Sequence, residues 1–219
     1  MRLTIYGKSV VTKALVFTLL IDIIAILVPV FIVKLILLAV SILVFGFVIY
    51  FFRDPLRKIP EGIKDNEIIS PADGKVMMIE EIEDETFLKS KAKMIGIFLS
   101  PLNVHVNRIP VSGKVEYFQY IKGDYIVAFD HKSSERNERT EIGITNPKFK
   151  LMFKQIAGFV ARRIVCGLRV GANVVRGEKF GMIKFGSRVD VIMPLNSIIK
   201  VSVNQKVTGG ETIIAEVPA

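Results

Sequence analysis

The chain has 219 residues, 51% of them hydrophobic, a length that allows one globular domain with an appendage or two small domains. The hydrophobic fraction is above the soluble average, and the net charge of +9 suits an anionic partner, either nucleic acid or an anionic membrane surface. A single cysteine excludes an intramolecular disulfide framework, and only two histidines argue against a His-rich metal site.

The apolar residues are concentrated near the N-terminus. Residues 14–52 read ALVFTLLIDIIAILVPVFIVKLILLAVSILVFGFVIYFF, interrupted only by Asp22, Pro29 and Lys34. One helix of this length would be about 60 Å long, roughly twice the hydrocarbon thickness of a bilayer. The pattern therefore predicts two helices joined by a tight turn between Pro29 and Lys34.

Charges near this hairpin predict its placement. Basic residues flank both outer ends, so the positive-inside rule puts both ends and everything downstream on the cytoplasmic side of the cell membrane. An acid in the middle of a membrane is costly. Asp22 therefore favours a shallow, interfacial or re-entrant hairpin over a transport role.

The predicted hairpin, residues 1–52, is followed by a Pro- and charge-rich linker at residues 53–67. The remainder, residues 68–219, reads mostly as short strands that are rich in β-branched and aromatic residues and bounded by turn residues. Lys132–Thr140 (KSSERNERT) is too polar for a core strand, so we expect an exposed loop there.

A weak internal repeat suggests how these strands fold. The stretches that begin at Val170 and Val203 share the pattern Val-x₃-Val-x₂-Gly-Glu at an offset of about 33 residues. This pattern resembles the hairpins of barrel-sandwich folds such as biotinyl and lipoyl domains, where glycine takes a turn position with positive φ. The predicted fold is mainly β: a compact barrel-sandwich-like β domain preceded by an N-terminal hydrophobic helical hairpin.

The stretch KFGSRVDV, residues 184–191, interrupts a predicted strand with Gly186 and Ser187. A bulge would explain this pair, whereas the hydrolase pattern Gly-x-Ser-x-Gly between strand and helix is not met. Another reaction is open to such a pair. The Ser187 hydroxyl can attack the unhindered carbonyl of Gly186 and turn the amide into an ester. Elimination and hydrolysis would then leave a pyruvoyl group.

Several stretches together point to one family. They are FFRDPLRKIP, SPADGKV, IGIFLSPLNVHVNRIPVSGKV, SSERNERT, QIAGFVARRIVC and GEKFGMIKFGSRVDVIMP, which cover most of residues 51–194. The sequence resembles the short bacterial and archaeal type of phosphatidylserine decarboxylase. The resemblance implies decarboxylation of a serine phospholipid headgroup, either phosphatidylserine or its ether-linked archaeal counterpart archaetidylserine, with a pyruvoyl cofactor and no metal.

The resemblance also implies self-processing. The cleaved bond would be Gly186–Ser187, giving a β chain of residues 1–186 and an α chain of residues 187–219 that carries the pyruvoyl group at Ser187. The expected partners are therefore a serine phospholipid in the membrane and the two chains of one proenzyme. The family favours a homodimer without requiring one.

Two further residues match family positions. Asp73 of SPADG corresponds to the acid linked to self-processing, and His105 of SP-x₃-H corresponds to a histidine assigned to the active site. Larger relatives carry a second histidine where this chain has Arg108, so their Asp-His-Ser triad is incomplete here. Either His105 serves both steps or Asp73 acts more directly.

The implied chemistry assigns roles to the motif around His105. A pyruvoyl ketone forms a Schiff base with the serine amine and accepts the electrons that the departing CO₂ leaves. The unperturbed pKa of histidine, about 6.5, suits His105 as the proton donor or its positioner. Asn103 and Arg108, in the same motif, are expected to contact the headgroup carboxylate or phosphate.

Two other classes of function fit the sequence less well. A non-catalytic, membrane-anchored barrel-sandwich adaptor or carrier would need a modifiable lysine at a hairpin tip or a long helical hairpin for partners, and neither is evident. Nucleic-acid binding rests on the net charge alone and lacks a motif. Basic charge also suits anionic lipid headgroups, which favours the lipid enzyme.

Overall fold

A computed structural model of the chain describes residues 2–123, 137–158, 163–184 and 187–218. The chain divides into two compact units, Met1–Pro55 and Leu56–Ala219. The first unit is helical and the second consists of β-strands, so the predicted fold class is confirmed.

The first unit is a pair of apolar helices, α1 (Lys8–Leu27) and α2 (Phe31–Phe51). Both are long and apolar enough to cross a membrane by length and composition, since about 20 residues span roughly 30 Å. The predicted turn was too long: Lys34 lies inside α2, where its N–H donates to the Val30 carbonyl at 3.1 Å. Pro29 ends α1 early because it disfavours helical geometry at the residue before it, and Val28 is extended.

The two helices run antiparallel. Thr18 and Ser41 lie at similar distances from the turn, are both buried, and meet through a hydrogen bond from Ser41 Oγ to the Thr18 carbonyl of 3.4 Å. At the open end of the hairpin, Leu3 pairs with Arg53 as an antiparallel bridge. The segments before α1 and after α2 therefore leave the hairpin at the same end.

The second unit is built from short strands, and every pairing between its described strands is antiparallel. The strands are β1 (Glu67–Ile69), β2 (Gly74–Asp84), β3 (Ser90–Leu99), β4 (Val106–Arg108), β5 (Gly113–Ile121), β6 (Arg139–Thr145), β7 (Lys150–Ala157), β8 (Arg163–Cys166), β9 (Asn173–Val174), β10 (Lys179–Lys184), β11 (Ser187–Pro194), β12 (Ile198–Ile199), β13 (Lys206–Val207) and β14 (Ile213–Glu216). The largest sheet has the order β13-β2-β3-β11-β7-β6-β5-β9, and two smaller sheets have the orders β4-β10-β8 and β1-β14-β12.

Strand β11 lies between β3 and β7 in the largest sheet and separates two apolar clusters. Val189 and Val191 belong to the main core, whereas Ile192 belongs to a smaller, methionine-rich cluster. Because alternate residues of a strand point to opposite faces, Ser187 shares the face of Val189 and Val191. The sheet therefore turns Ser187 toward the main core.

The opposite face of β11 carries a buried ion pair. Arg188 Nε and Nη2 each donate to one carboxylate oxygen of Asp190, and both bonds are 2.7 Å long. The two side chains are almost completely buried, 1% and 0% exposed. This bidentate pairing explains how charged residues occupy a central strand: each satisfies the other in a site that excludes water.

The internal repeat corresponds to two copies of one backbone arrangement. Gly177 and Gly210 occupy equivalent turns, and both have φ of 84°. The strand before each turn pairs with an equivalent partner: β9 pairs with β5, and β13 pairs with β2. The predicted glycine turns are therefore confirmed.

The predicted exposed loop at 132–140 is wrong for its last four residues. Asn137 is fully buried and its Nδ2 donates to the Ala157 carbonyl at 2.7 Å. Thr140 lies in β6 and its hydroxyl donates to Gln155 Oε1 at 2.8 Å. These polar side chains are buried because each has a buried partner, which composition alone does not reveal. Residues 132–136 lie outside the described residues.

Removal of the Asp190 carboxylate should destabilise the β unit. Asp190→Ala removes the carboxylate that accepts two hydrogen bonds from the buried Arg188 guanidinium, so we expect the free energy of unfolding to fall by about 3–5 kcal/mol. Urea unfolding of the full chain in detergent, on a Ser187→Ala background, measures this loss. The double variant Arg188→Met, Asp190→Leu is the control and should recover most of the stability. A loss below about 0.5 kcal/mol in Asp190→Ala would contradict the account.

Candidate active site

A short connection, residues 100–104, has one end beside β11 and the other beside β10, the two strands that flank the predicted cleavage bond. Before it, Leu99 at the end of β3 pairs directly with Ser187. After it, the carbonyl of His105 accepts a hydrogen bond of 3.4 Å from the N–H of Ile183, near the end of β10. The chain runs from β10 to β11 through the bond, so this connection is tied to the strands on both sides of it.

Ser187 is the first residue of β11, and its side chain is fully buried. Its Oγ has no hydrogen-bond partner among the residues that the structure describes. Burying a hydroxyl without a partner costs about 1–3 kcal/mol. Such an atom is a candidate for chemistry rather than for structural support. Gly186, the predicted other half of the bond, lies outside the described residues together with Phe185.

His105 is also fully buried, and its ring has a defined orientation. Nδ1 lies 2.9 Å from the carbonyl oxygen of Asn103. Because a carbonyl oxygen only accepts, Nδ1 must carry the proton of this bond, and the neutral ring then holds its lone pair on Nε2. His105 can therefore take up a proton at Nε2 and return it.

Asn103 holds the connection in shape. Its Oδ1 accepts hydrogen bonds from the N–H and the hydroxyl of Ser100, at 2.9 and 2.7 Å. Its own N–H donates to the Ser100 carbonyl at 2.9 Å. Asn103 thus fixes the turn whose carbonyl orients His105, and the predicted contact between Asn103 and the headgroup stays a prediction.

Asp73 is held by two donors. Its Oδ2 accepts from Arg57 Nη2 at 2.6 Å, and its Oδ1 accepts from the N–H of Gly209 at 2.8 Å. Both side chains of the ion pair are largely buried, 14% exposed for Arg57 and 17% for Asp73. Sequence reasoning did not select Arg57, although it lies in the FFRDPLRKIP stretch that carries the family resemblance.

Arg108 joins the two turns of the internal repeat. Its Nη1 donates to the carbonyl of Gly177 at 3.0 Å. Its side chain also packs against Gly210, where an added Cβ would lie 2.7 Å from Arg108 Cδ. A headgroup contact by Arg108 stays a prediction beside these structural contacts.

An open cavity of about 530 Å³ brings part of the predicted site together. Its wall includes Asp73, Phe98, Ser100 and Asn103, and also the lysines Lys75 and Lys206. Phe98 and Ser100 flank Leu99, the strand partner of Ser187. The cavity therefore borders the end of the sheet at which Ser187 begins its strand, although neither Ser187 nor His105 is among its described lining residues.

Asn107 is a polar residue of the site that the sequence analysis did not select. It is fully buried, its Oδ1 accepts from Gln155 Nε2 at 2.8 Å, and its Nδ2 has no partner in the described part of the chain. Gln155 pairs across β7 and β11 with Val189, two residues from Ser187 on the same face. The sequence signal for Asn107 was its place in the NVHVNR motif, where polar and apolar residues alternate as they do along a β-strand.

Cys166 is not a candidate nucleophile. Burial of its side chain raises the pKa of the thiol to about 11, and the thiolate is the reactive form of cysteine. As for metals, no group of three His, Cys, Asp or Glu side chains that could hold an ion occurs within the described ranges.

Comparisons with known proteins agree on one family. A family model described as phosphatidylserine decarboxylase matches residues 44–215. The chain is 49% identical over 214 residues to the phosphatidylserine decarboxylase proenzyme of Chlorobium luteolum, covering 97% of this chain and 99% of that relative. The proteins of the same name from Prosthecochloris aestuarii and Cytophaga hutchinsonii are 45% and 49% identical, over 97% and 82% of this chain and 96% and 81% of theirs.

The Cys166 thiol should react slowly in the folded protein. With a pKa of about 11, roughly one thiol in a thousand is ionised at pH 8, so alkylation by iodoacetamide should be far slower than for free cysteine. Intact mass at timed intervals measures the rate, and the same protein in guanidinium chloride is the control that should react fully. Equal rates in the folded and unfolded protein would contradict this assignment.

Proposed function

The chain belongs to the phosphatidylserine decarboxylase family, and from that premise we propose that it is a pyruvoyl-dependent decarboxylase that cleaves itself between Gly186 and Ser187. One observation carries the proposal. The Ser187 hydroxyl is buried at the start of a central strand without a partner among the described residues, and Leu99 and His105, at the two ends of the connection 100–104, are tied to the strands on both sides of the bond.

Self-cleavage begins at the Ser187 hydroxyl. Its Oγ attacks the carbonyl carbon of Gly186, gives its proton to a base, and the amide becomes an ester as the nitrogen takes up a proton. Loss of the Cα proton of residue 187 then breaks the ester C–O bond and releases residues 1–186 as a carboxylate. Water hydrolyses the remaining dehydroalanine to a ketone, and ammonia leaves.

The residues around this bond have different roles in self-cleavage. His105, whose lone pair lies on Nε2, is the base for the Ser187 proton. Asn107 offers its amide Nδ2 to the negative charge that develops on the attacked carbonyl oxygen. Asp73 supports processing less directly, because Arg57 and Gly209 already occupy its two oxygens.

The strand pairing of residue 187 fits a cofactor at a new chain terminus. β11 stays paired with β3 and β7, both of which belong to residues 1–186. The two chains therefore remain in one sheet after the bond breaks, and residue 187 keeps its place between Leu99 and Ala157. The pyruvoyl group supplies a ketone that takes up the substrate amine and draws electrons as CO₂ departs.

His105 then supplies the proton that replaces the departed CO₂. Held by the Asn103 carbonyl at Nδ1, its ring can deliver a proton from Nε2 to the carbon that has lost CO₂. The relatives are named for phosphatidylserine, so we take this diacyl lipid as the substrate. The two apolar helices anchor the enzyme in the membrane that contains the lipid, with the β unit on the cytoplasmic side.

Cleavage can be tested by intact mass. The wild-type protein should appear as two fragments that divide after Gly186, and the fragment of residues 187–219 should lack a free N-terminal amine and react with a hydrazine. Ser187→Ala, the matched control, should remain one chain because it has no hydroxyl to attack. A folded wild-type protein that stays uncut would contradict the proposal, and Ser187 would then be a bulge residue.

His105→Gln should slow both steps. The amide keeps a similar size but cannot accept and return a proton at neutral pH, so we expect a loss of about 10²- to 10⁴-fold in the rate of self-cleavage and in kcat. A time course of fragment formation and release of labelled CO₂ from phosphatidylserine measure the two rates. Wild-type rates for both in this variant would show that His105 is structural.

A further inference from the structure

Two lysines face each other at the cavity beside Ser187. Lys75 of β2 is the direct strand partner of Lys206 of β13, and both exposed side chains line the cavity. Directly opposed residues of an antiparallel pair have Cβ atoms about 4.5–5.5 Å apart, where like charges destabilise the pairing. Within the described part of the chain, neither lysine has an ion-pair partner.

The carboxylate of Asp73, which lines this cavity, already has two hydrogen-bond donors. Asp73 accepts from Arg57 at 2.6 Å and from the N–H of Gly209 at 2.8 Å. Asp73 is paired with Arg57, which also lies 3.8 Å from Glu211 Oε2, so Lys75 and Lys206 are the charged groups of the described cavity lining that have no ion-pair partner. A bound anion would offset both this charge and the repulsion between the lysines.

The second copy of the repeat shows that the backbone does not need two lysines there. At the equivalent pairing of β5 with β9, Lys114 faces Asn173. Ser112 takes the place of Asp73, and its hydroxyl accepts from the N–H of Arg176 at 3.0 Å, as Asp73 accepts from Gly209. The paired lysines are therefore specific to the copy that borders Ser187.

We propose that Lys75 and Lys206 bind the phosphodiester of the lipid headgroup, an assignment that rests on the proposed function. Lysine ammonium groups bind phosphate as point charges. Lys75, Phe98 and Arg188 stand side by side on neighbouring strands, so Lys75 lies about 10 Å from β11, on the face of Arg188 and at the end of the sheet where Ser187 begins the strand. Because Ser187 points to the other face, the headgroup would pass the end of the strand to bring its amine to residue 187. The flexible lysine stems let the phosphate bind here while the serine amine reaches residue 187.

An exposed leucine supports a lipid over a soluble anion. Leu102 lines the same cavity and is 63% exposed. It lies in the turn closed by Ser100 and Asn103, where an apolar side chain gains nothing from water. The glycerol and the first acyl carbons, next to the phosphate, would cover it.

The test uses the full chain in mixed micelles of detergent and phosphatidylserine. For Lys75→Ala with Lys206→Asn, which copies the asparagine of the second repeat, we expect complete self-cleavage by intact mass. We also expect a KM about tenfold or more higher, with kcat within about twofold of wild type, because the lysines bind the substrate and do not react. Lys114→Ala is the matched control and should keep the wild-type KM.

Soluble competitors distinguish a site for the lipid headgroup from a site for free phosphate. Glycerophosphoserine should inhibit the wild type competitively and should inhibit the double variant less. Inorganic phosphate at the same concentration should compete far more weakly than glycerophosphoserine.

Three results would overturn the assignment: an unchanged KM in the double variant, an equal rise in KM for Lys114→Ala, or equal competition by inorganic phosphate. A wild-type protein that neither cleaves itself nor releases CO₂ would instead remove the proposed function, and the assignment with it.

Discussion

The pairing of β11 on both of its edges is the constraint around which the site is arranged. Residue 187 begins this strand and is held by Leu99 on one side and Ala157 on the other. The bond before it can therefore break without release of the new terminus, since β11 stays within a sheet formed with the other fragment. The same pairing turns the Ser187 hydroxyl toward the core, where its Oγ is buried and has no hydrogen-bond partner among the described residues. The buried and rigid position of this hydroxyl follows from ordinary sheet geometry.

The repeated backbone arrangement positions the charged side chains of the cavity near the start of β11. The two copies share glycine turns and strand pairings, but they differ in the side chains at equivalent positions. One copy places a carboxylate and a pair of lysines beside the cavity, whereas the other has a serine and a lysine–asparagine pair at the equivalent positions. The backbone arrangement thus accommodates either set of side chains, so it does not by itself require the charged set.

Sequence patterns predicted those features that local rules determine. Strand alternation, the glycine turns and the apolar hairpin all follow from periodicity and backbone sterics, and the family motifs singled out Ser187, Asp73 and His105. The exposed loop was wrong for Asn137 and Thr140 because their partners, Ala157 and Gln155, come from the next strand, β7, and a local sequence pattern does not show contacts between strands. Arg57 and Asn107 were not selected for the same reason: the contacts that define them, with Asp73 and Gln155, join residues far apart in sequence.

We propose that residue 187 becomes a carbonyl that receives the substrate amine. Treatment of the enzyme with cyanoborohydride in the presence of phosphatidylserine vesicles, followed by intact mass of both fragments, tests it directly. The account predicts that residues 187–219 gain the mass of the lipid amine, less the oxygen lost from the carbonyl, and that residues 1–186 stay unmodified. Lipid mass on residues 1–186, or on neither fragment while CO₂ is still released, would contradict it.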